Sequence, residues 1–475
     1  MPRGFYSSIH AACGLTLCSR EVVRIAVFSA ILGTEAWADG PETSSLPSEI
    51  ISTTGSATNT PASALEGGPG QSSLWNWHVQ NTVVVQTHGR FPALYSADQS
   101  LTSTSETKQT ISFDVFAGVR LWHGAELHAD ALVWQGFGLS HTFGVAGFPN
   151  NEAFKGGTER PNITFAHLLV QQTFELGGEK EEIPDGQLQL AKQVDSHRLT
   201  ISAGKMSAKD SFDGNTYSND GRTQFMNWAL VSAGAWDFPA DSLGFMPGIT
   251  ADLHLTDWSV RYGVFQVPRV ANGLASDPHT LEAWGMVTEL ERRWPGGAAR
   301  LLFFANRANM RRFDEIADPA IPRDSSLPPS YHLKPGFGIN VEQIILPGVG
   351  AFSRLSWNNG ETESWAYTDI DKTVSLGLSL NGQFWSRPMD TFGLAGVLDG
   401  ISGGHRGYLA AGGMGVTVGD GALRYGTEAI LETYYDAQIW KTIHLTFDYS
   451  FVKNPAYNQD RGPVHIFAGR VHWEY

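Results

Sequence analysis

Asp114, Asp130, Arg198, Arg354, Glu428 and Asp448 are charged residues set into stretches where apolar side chains recur at every second position. Both signs are represented, so the set offers guanidinium donors and carboxylate acceptors together. Segment 206–244 adds Asp210, Asp213, Arg222, Trp228 and Trp236, along with Lys209, Asn215, Asp220, Asn227 and Asp237. An indole face stacks on the apolar face of a ring, while Arg and Asp hydrogen-bond its hydroxyls. That combination suits non-covalent recognition of neutral, hydroxyl-rich solutes. Trp228 and Trp236 serve equally well as anchors that hold the segment to a wall. Covalent chemistry has no comparable signature. H-E-x-x-H and P-loop motifs are absent from the sequence, and no catalytic residue is assigned. Carboxylate pairs of the kind a glycosidase needs are plentiful, but alternating charge generates them by chance. The stretch DGNTYSND (213–220) lacks the ligand spacing and closing Glu of a calcium loop. No metal or cofactor is expected.

These residues must be positioned by strands. Trp75, Trp77, Val79, Asn81, Val83 and Val85, nearly all apolar, alternate with the mostly polar Asn76, His78, Gln80, Thr82, Val84 and Gln86. Ile111, Phe113, Val115, Ala117, Val119 and Leu121 alternate with Ser112, Asp114, Phe116, Gly118 and Arg120. Ile443, Leu445, Phe447, Tyr449 and Phe451 alternate with His444, Thr446, Asp448 and Ser450. Each run is about ten residues, the length that crosses a bilayer when tilted. Sixteen such strands are expected, near 75–86, 110–121, 126–134, 164–174, 197–205, 245–255, 258–267, 281–292, 299–307, 335–345, 351–358, 372–382, 392–399, 423–435, 441–452 and 463–475. The pattern is weakest in 281–292 and 392–399. Short connections (HGA, TD, WPGGA, LPGVG) alternate with long ones such as 206–244 and 308–334. The fold class expected is therefore all-β: a transmembrane antiparallel barrel of about 16 strands, with long extracellular loops and short periplasmic turns.

A soluble sandwich also alternates. Aromatics at strand ends (Trp75, Trp77, Trp122, Trp440, Trp473, Tyr475) favour lipid, because such residues form girdles at membrane interfaces. Charge on a lipid face costs roughly 2–4 kcal/mol for Arg or Lys at mid-membrane. The polar phase should then face a lumen, placing Asp114, Arg120, Glu126, His128, Asp130, Arg198, Arg354, Arg424, Glu428, Glu432, His444 and Asp448 inside. Arg120 and Glu126 should pair beside the first short turn.

Composition agrees. Charged residues are only 17% of the chain, low for a soluble surface, while aromatics reach 11%. No apolar run is long enough for a membrane helix. The formal net charge of −15 argues against nucleic-acid partners. Arg20 and Arg24 precede the apolar run 25–32 and the small-residue pattern Ala36-Trp37-Ala38, so residues 1–38 read as an export signal. Both cysteines, Cys13 and Cys18, lie within it, which leaves a thiol-free chain suited to an oxidising compartment. Residues 39–73, rich in Ser, Thr, Pro and Gly, read as a flexible periplasmic segment. The barrel is assigned to 74–475.

The stretch 204–241, GKMSAKDSFDGNTYSNDGRTQFMNWALVSAGAWDFPAD, resembles the OprB-type carbohydrate-selective porin family, most specifically in RTQFMNWAL. Segment 121–136 and the C-terminal 423–475, with its NPAYNQDRGPV block, are similar to the same family. Gly204-Lys205-Met206 departs from the family's GKF. The resemblance implies a sixteen-stranded barrel with periplasmic termini in the outer membrane of a Gram-negative bacterium. It also implies passive uptake of small neutral, glucose-type saccharides. The partners expected are those sugars, outer-membrane lipid and lipopolysaccharide, and the barrel-assembly machinery, through a C-terminal strand ending at Tyr475. Homo-oligomerisation stays open. The alternatives are a general ion-permeable porin and a barrel-embedded hydrolase.

Overall fold

The computed structural model describes residues 73–153, 157–316, 318–319 and 329–475. The export signal 1–38 and segment 39–72 lie outside them. The strands are β1 (Trp75–His88), β2 (Glu106–Trp122), β3 (Ala125–Gly136), β4 (Thr158–Ile183), β5 (Lys192–Met206), β6 (Met246–Leu255), β7 (Trp258–Phe265) and β8 (Trp284–Trp294). They continue as β9 (Gly297–Ala308), β10 (His332–Leu346), β11 (Val349–Asn358), β12 (Lys372–Asn381), β13 (Thr391–Gly400), β14 (Glu428–Trp440), β15 (Ile443–Lys453) and β16 (Val464–Glu474). Every strand pairs antiparallel with its sequence neighbours, and β1 pairs with β16, closing a sixteen-stranded barrel. Closure removes both sheet edges, as a lipid-embedded sheet requires.

The two-residue period sets which side meets lipid. On β13, Leu394 and Leu398 are exposed outward while Ala395, Val397 and Asp399 are buried inward. On β7, Trp258, Val260 and Tyr262 point out and Ser259 and Arg261 point in. Short turns close one end. His123-Gly124, Pro295-Gly296 and Pro347-Gly348 place their glycines at φ 74°, 78° and 78°, a region other residues enter at a cost. Arg120 and Glu126 are register partners beside the first of these turns, with 3.7 Å between their charged groups.

The long loops gather at the other end: L1 (89–105), L2 (137–157), L3 (207–245), L4 (266–283), L5 (309–331), L6 (359–371), L7 (401–427) and L8 (454–463). L3 folds inward. Its Phe212, Phe225, Trp236 and Phe238 pack against Val287, Leu302, Phe304, Phe352 and Tyr434 of the inner wall. The lumen face thus carries an apolar patch among the groups that receive L3, rather than being polar throughout.

Two features differ from the sequence pattern. Strand β14 starts at Glu428, so Arg424 is in L7, exposed and 3.3 Å from Asp460, not on the lumen wall. Strands β4 and β5 run well past 164–174 and 197–205 and form a hairpin projecting beyond the barrel. Both faces of that extension, Gly177–Ile183, meet water, so no apolar alternation marks it. Its tip folds back onto the start of β1 and the end of β16. The Asn76 side-chain amide donates to Asp185 (2.8 Å) and to the carbonyls of Gly186 (3.1 Å) and Gln189 (2.8 Å). Gln187 donates to Gln80 (3.2 Å) and Glu474 (2.9 Å). The hairpin therefore straps the periplasmic mouth from β4–β5 to β1 and β16.

Candidate functional site: loop L3 in the lumen

L3 is fixed by a buried hub. Asp213 accepts from Arg354 Nε (3.0 Å), Lys209 Nζ (3.0 Å), Asn340 Nδ2 (2.8 Å) and the Ala233 amide (2.7 Å). Arg354, fully buried on β11, also donates to the Leu230 carbonyl (2.7 Å). Burial works to raise the Asp213 carboxyl, but the Arg354 guanidinium and Lys209 ammonium outweigh it and hold the group down to about 2. Leaving either member of such a buried pair alone costs about 3–5 kcal/mol. Beyond the hub lies the one-turn helix α1 (Trp228–Val231), capped by the Asn227 side chain accepting from the Ala229 amide (3.0 Å).

Further ties reach other walls. Arg222 spans two carboxylates, Asp114 on β2 (2.7 Å) and Glu152 in L2 (3.0 Å). His167 on β4 holds one carboxylate at each ring nitrogen, Asp130 and Asp210, both at 3.0 Å. Asp237 collects four amides of L6, those of Trp365, Ala366, Tyr367 and Thr368, at 2.6–3.2 Å.

The inner wall has two characters. Across β7–β10 charges alternate in sign. Arg261 meets Glu289 (2.7 Å) and Glu291 (3.0 Å), and Arg300 meets Glu291 (2.7 Å) and Glu342 (3.3 Å). On β13–β15 carboxylates dominate: Asp399, Glu428, Glu432 and Asp448, all buried. Glu428 takes the amides of Ala146, Gly147 and Ala456 (2.7–3.1 Å), and Glu432 those of Met226 (2.6 Å) and Asn227 (3.0 Å). Asp448 lies beside Glu432, with Arg470 near both. Arg470 donates to the L3 carbonyls of Gly221 (2.7 Å) and Gln224 (2.9 Å) and to the Thr446 hydroxyl (3.1 Å).

The residues singled out from sequence therefore occupy three settings. Asp114, Asp130, Asp213, Arg354, Glu428 and Asp448 are buried behind or beneath L3 and its neighbouring loops. Trp228 and Trp236 are buried too: Trp228 stacks on Phe148 (5.6 Å, 8° between planes) and Trp236 packs on Phe238. Asp210 and Arg222 keep water-accessible side chains, 35% and 15% exposed. With Thr216, Asp220 and Gln224 they form the wet edge of L3. Arg198 stands apart at the periplasmic hairpin, 2.8 Å from Glu181. Sequence reasoning missed Glu152, His167, Arg261, Glu289, Glu291, Arg300, Glu342 and Arg470. Glu289 and Glu291, two residues apart in TELERRW, carried the inward phase of a strand whose apolar pattern is weak.

Residues 98–475 match the carbohydrate-selective porin, OprB family. The chain belongs to the OprB family. It is similar to the high-pH structure of Pseudomonas putida OprB at 14% identity, covering 84% of this chain and 94% of that one, with a TM-score of 0.62. For the low-pH structure of the same protein the identity is 11%, the coverage 84% and 92%, and the TM-score 0.46. The outer-membrane channel DcaP of Acinetobacter baumannii gives 8% identity, 87% and 100% coverage, and a TM-score of 0.48. No curated protein matches the chain. As an OprB-family porin the barrel is a sugar-selective channel of the outer membrane.

Proposed function

We propose that the barrel passes small neutral sugars of the glucose type by passive diffusion, and that the wet edge of L3 is where they bind. One observation carries the reading. Asp210, Thr216, Asp220, Arg222 and Gln224 give a strip of donors and acceptors in which Arg222 is already balanced by Asp114 and Glu152. A polyol exchanges water for such groups without needing a net field, whereas a charged solute gains little from paired charges. Asp130, Asp213, Arg354, Glu428, Asp448, Trp228 and Trp236 belong to this reading as the groups that hold the strip in place. Arg198 belongs to the exit. Binding must stay weak for solute to leave.

Single-channel recording with a sugar titration tests the proposal. Glucose is expected to block ion current reversibly at millimolar concentration, and Arg222→Ala to weaken that block. Swelling of proteoliposomes that depends on solute size alone, with no block by any sugar, would leave a general ion-permeable porin in its place.

A further inference from the structure

The lipid-facing surface carries a cavity of about 580 Å³ among β10–β13, lined by Phe337, Leu355, Trp357, Val374, Leu398 and Lys372. One water occupies about 30 Å³, so this trough takes the volume of a chain of methylenes. It lies at the loop ends of these strands: Lys372 opens β12 straight after L6, and Gly400 closes β13 straight before L7. In a barrel with periplasmic short turns, that is the outer-leaflet end.

Gly400, the register partner of Lys372, also lines the trough. A Cβ at Gly400 would come within 2.9 Å of Lys372 Cε and 3.2 Å of the Tyr425 hydroxyl, so the lysine stem and the phenol flank the same spot. Arg406, on the L7 helix α2 (Gly403–Ala410), stacks its guanidinium 3.6 Å from the Tyr425 ring centroid. Two cations thus stand at the upper end of an apolar trough. Among the described residues, neither has an ion-pair partner. The lumen arginines Arg222, Arg261, Arg300 and Arg354 are all paired.

We propose that this trough is a binding site for an anionic glycolipid of the outer leaflet of the lipid A class. An acyl chain lies along Leu355, Val374 and Leu398, and a phosphate is held by Lys372 with Arg406. Charge complementarity selects this occupant. A second copy of the chain would have to bury two unpaired cations against an apolar face, and a neutral phospholipid would leave both without an anion.

Native mass spectrometry of the full chain, purified in mild detergent and titrated with defined lipid A, reads the site directly. One lipid A per barrel is expected to survive delipidation. Lys372→Glu with Arg406→Glu should lower its retention by at least about tenfold. Val374→Trp, which fills the trough, should do the same, with unaltered ion conductance because these side chains lie outside the lumen. Where Val374→Trp fails to fold, as judged by heat-modifiable mobility, the charge reversal alone decides. Unchanged retention in the charge-reversed protein overturns the proposal. So does equal retention of a zwitterionic phospholipid, or a dimer of the chain in place of the lipid adduct.

Discussion

The β7–β10 wall and the β13–β15 wall are both rich in carboxylates, yet those carboxylates are used differently. On the first, Glu289, Glu291 and Glu342 are answered by Arg261 and Arg300, and Glu289 and Glu342 also take the L3 amides of Asp213 (2.7 Å) and Thr216 (2.6 Å). On the second, Glu428 and Glu432 are answered by backbone amides from L2, L3 and L8. Both walls therefore hold loops through carboxylates. The difference is that guanidinium groups also meet the carboxylates of the first wall and give it both signs, whereas Glu428 and Glu432 rest on N–H groups.

The comparison breaks most sharply at the Asp213–Arg354 hub, which fixes the loop that lies against both walls. Arg354→Ala strands Asp213 in a buried site, at a cost of about 3–5 kcal/mol. Thermal unfolding should shift down accordingly, and single-channel conductance should rise as L3 comes away. Arg354→Met with Asp213→Asn, which removes both charges, should recover part of the loss.

Next in size, Glu432→Gln and Glu291→Gln set the two walls against each other. Glu432→Gln should cost about 1.5–3 kcal/mol of stability, because charge-assisted bonds to Met226 and Asn227 are lost. Its ion selectivity should hardly move. Glu291→Gln leaves Arg261 and Arg300 in excess, so its reversal potential in a salt gradient should move toward anions. If both variants change the same observable by the same amount, the division between walls is wrong.

Acid provides a subtler probe. Asp213 is held down to about 2, below the ordinary value of about 3.9. A depressed carboxyl contributes stability that is complete above the ordinary value and is lost as pH falls through the lowered one. Conductance of the wild-type channel should therefore rise between about pH 4 and pH 2, and Asp213→Asn should flatten that step. The smallest effect expected is at the periplasmic hairpin. Asn76→Ala removes three bonds at a partly wet site, worth about 0.5–1.5 kcal/mol in a melting experiment.

The barrel was legible because its signal is local. A two-residue period needs only consecutive positions, and sixteen strands with their turns follow from it. The strands overstated or understated were those where that period carried no burial. Arg424 continued the alternation past the start of β14, and the β4–β5 extension is wet on both sides. The site was legible in residue type and hidden in partnership. Arg222, Asp213 and Arg354 stood out as charges, but Glu432 meets Met226 across 206 residues of sequence, and no period encodes that distance. The indoles were ambiguous for the same reason. Trp236 became a packing residue only once Phe212, Phe238 and Phe304 arrived around it.

The hairpin tip has a mechanical meaning that its hydrogen bonds make specific. Gln80 and Glu474 are register partners at the single junction where the chain's first strand meets its last. Gln187 holds both at once, 3.2 Å from one and 2.9 Å from the other. A barrel that gapes must part at some pair of strands, and the first-to-last junction is the one no connecting turn secures. Here a third element reaches over and stitches it, so unzipping the cylinder at its birth line requires the strap to let go first.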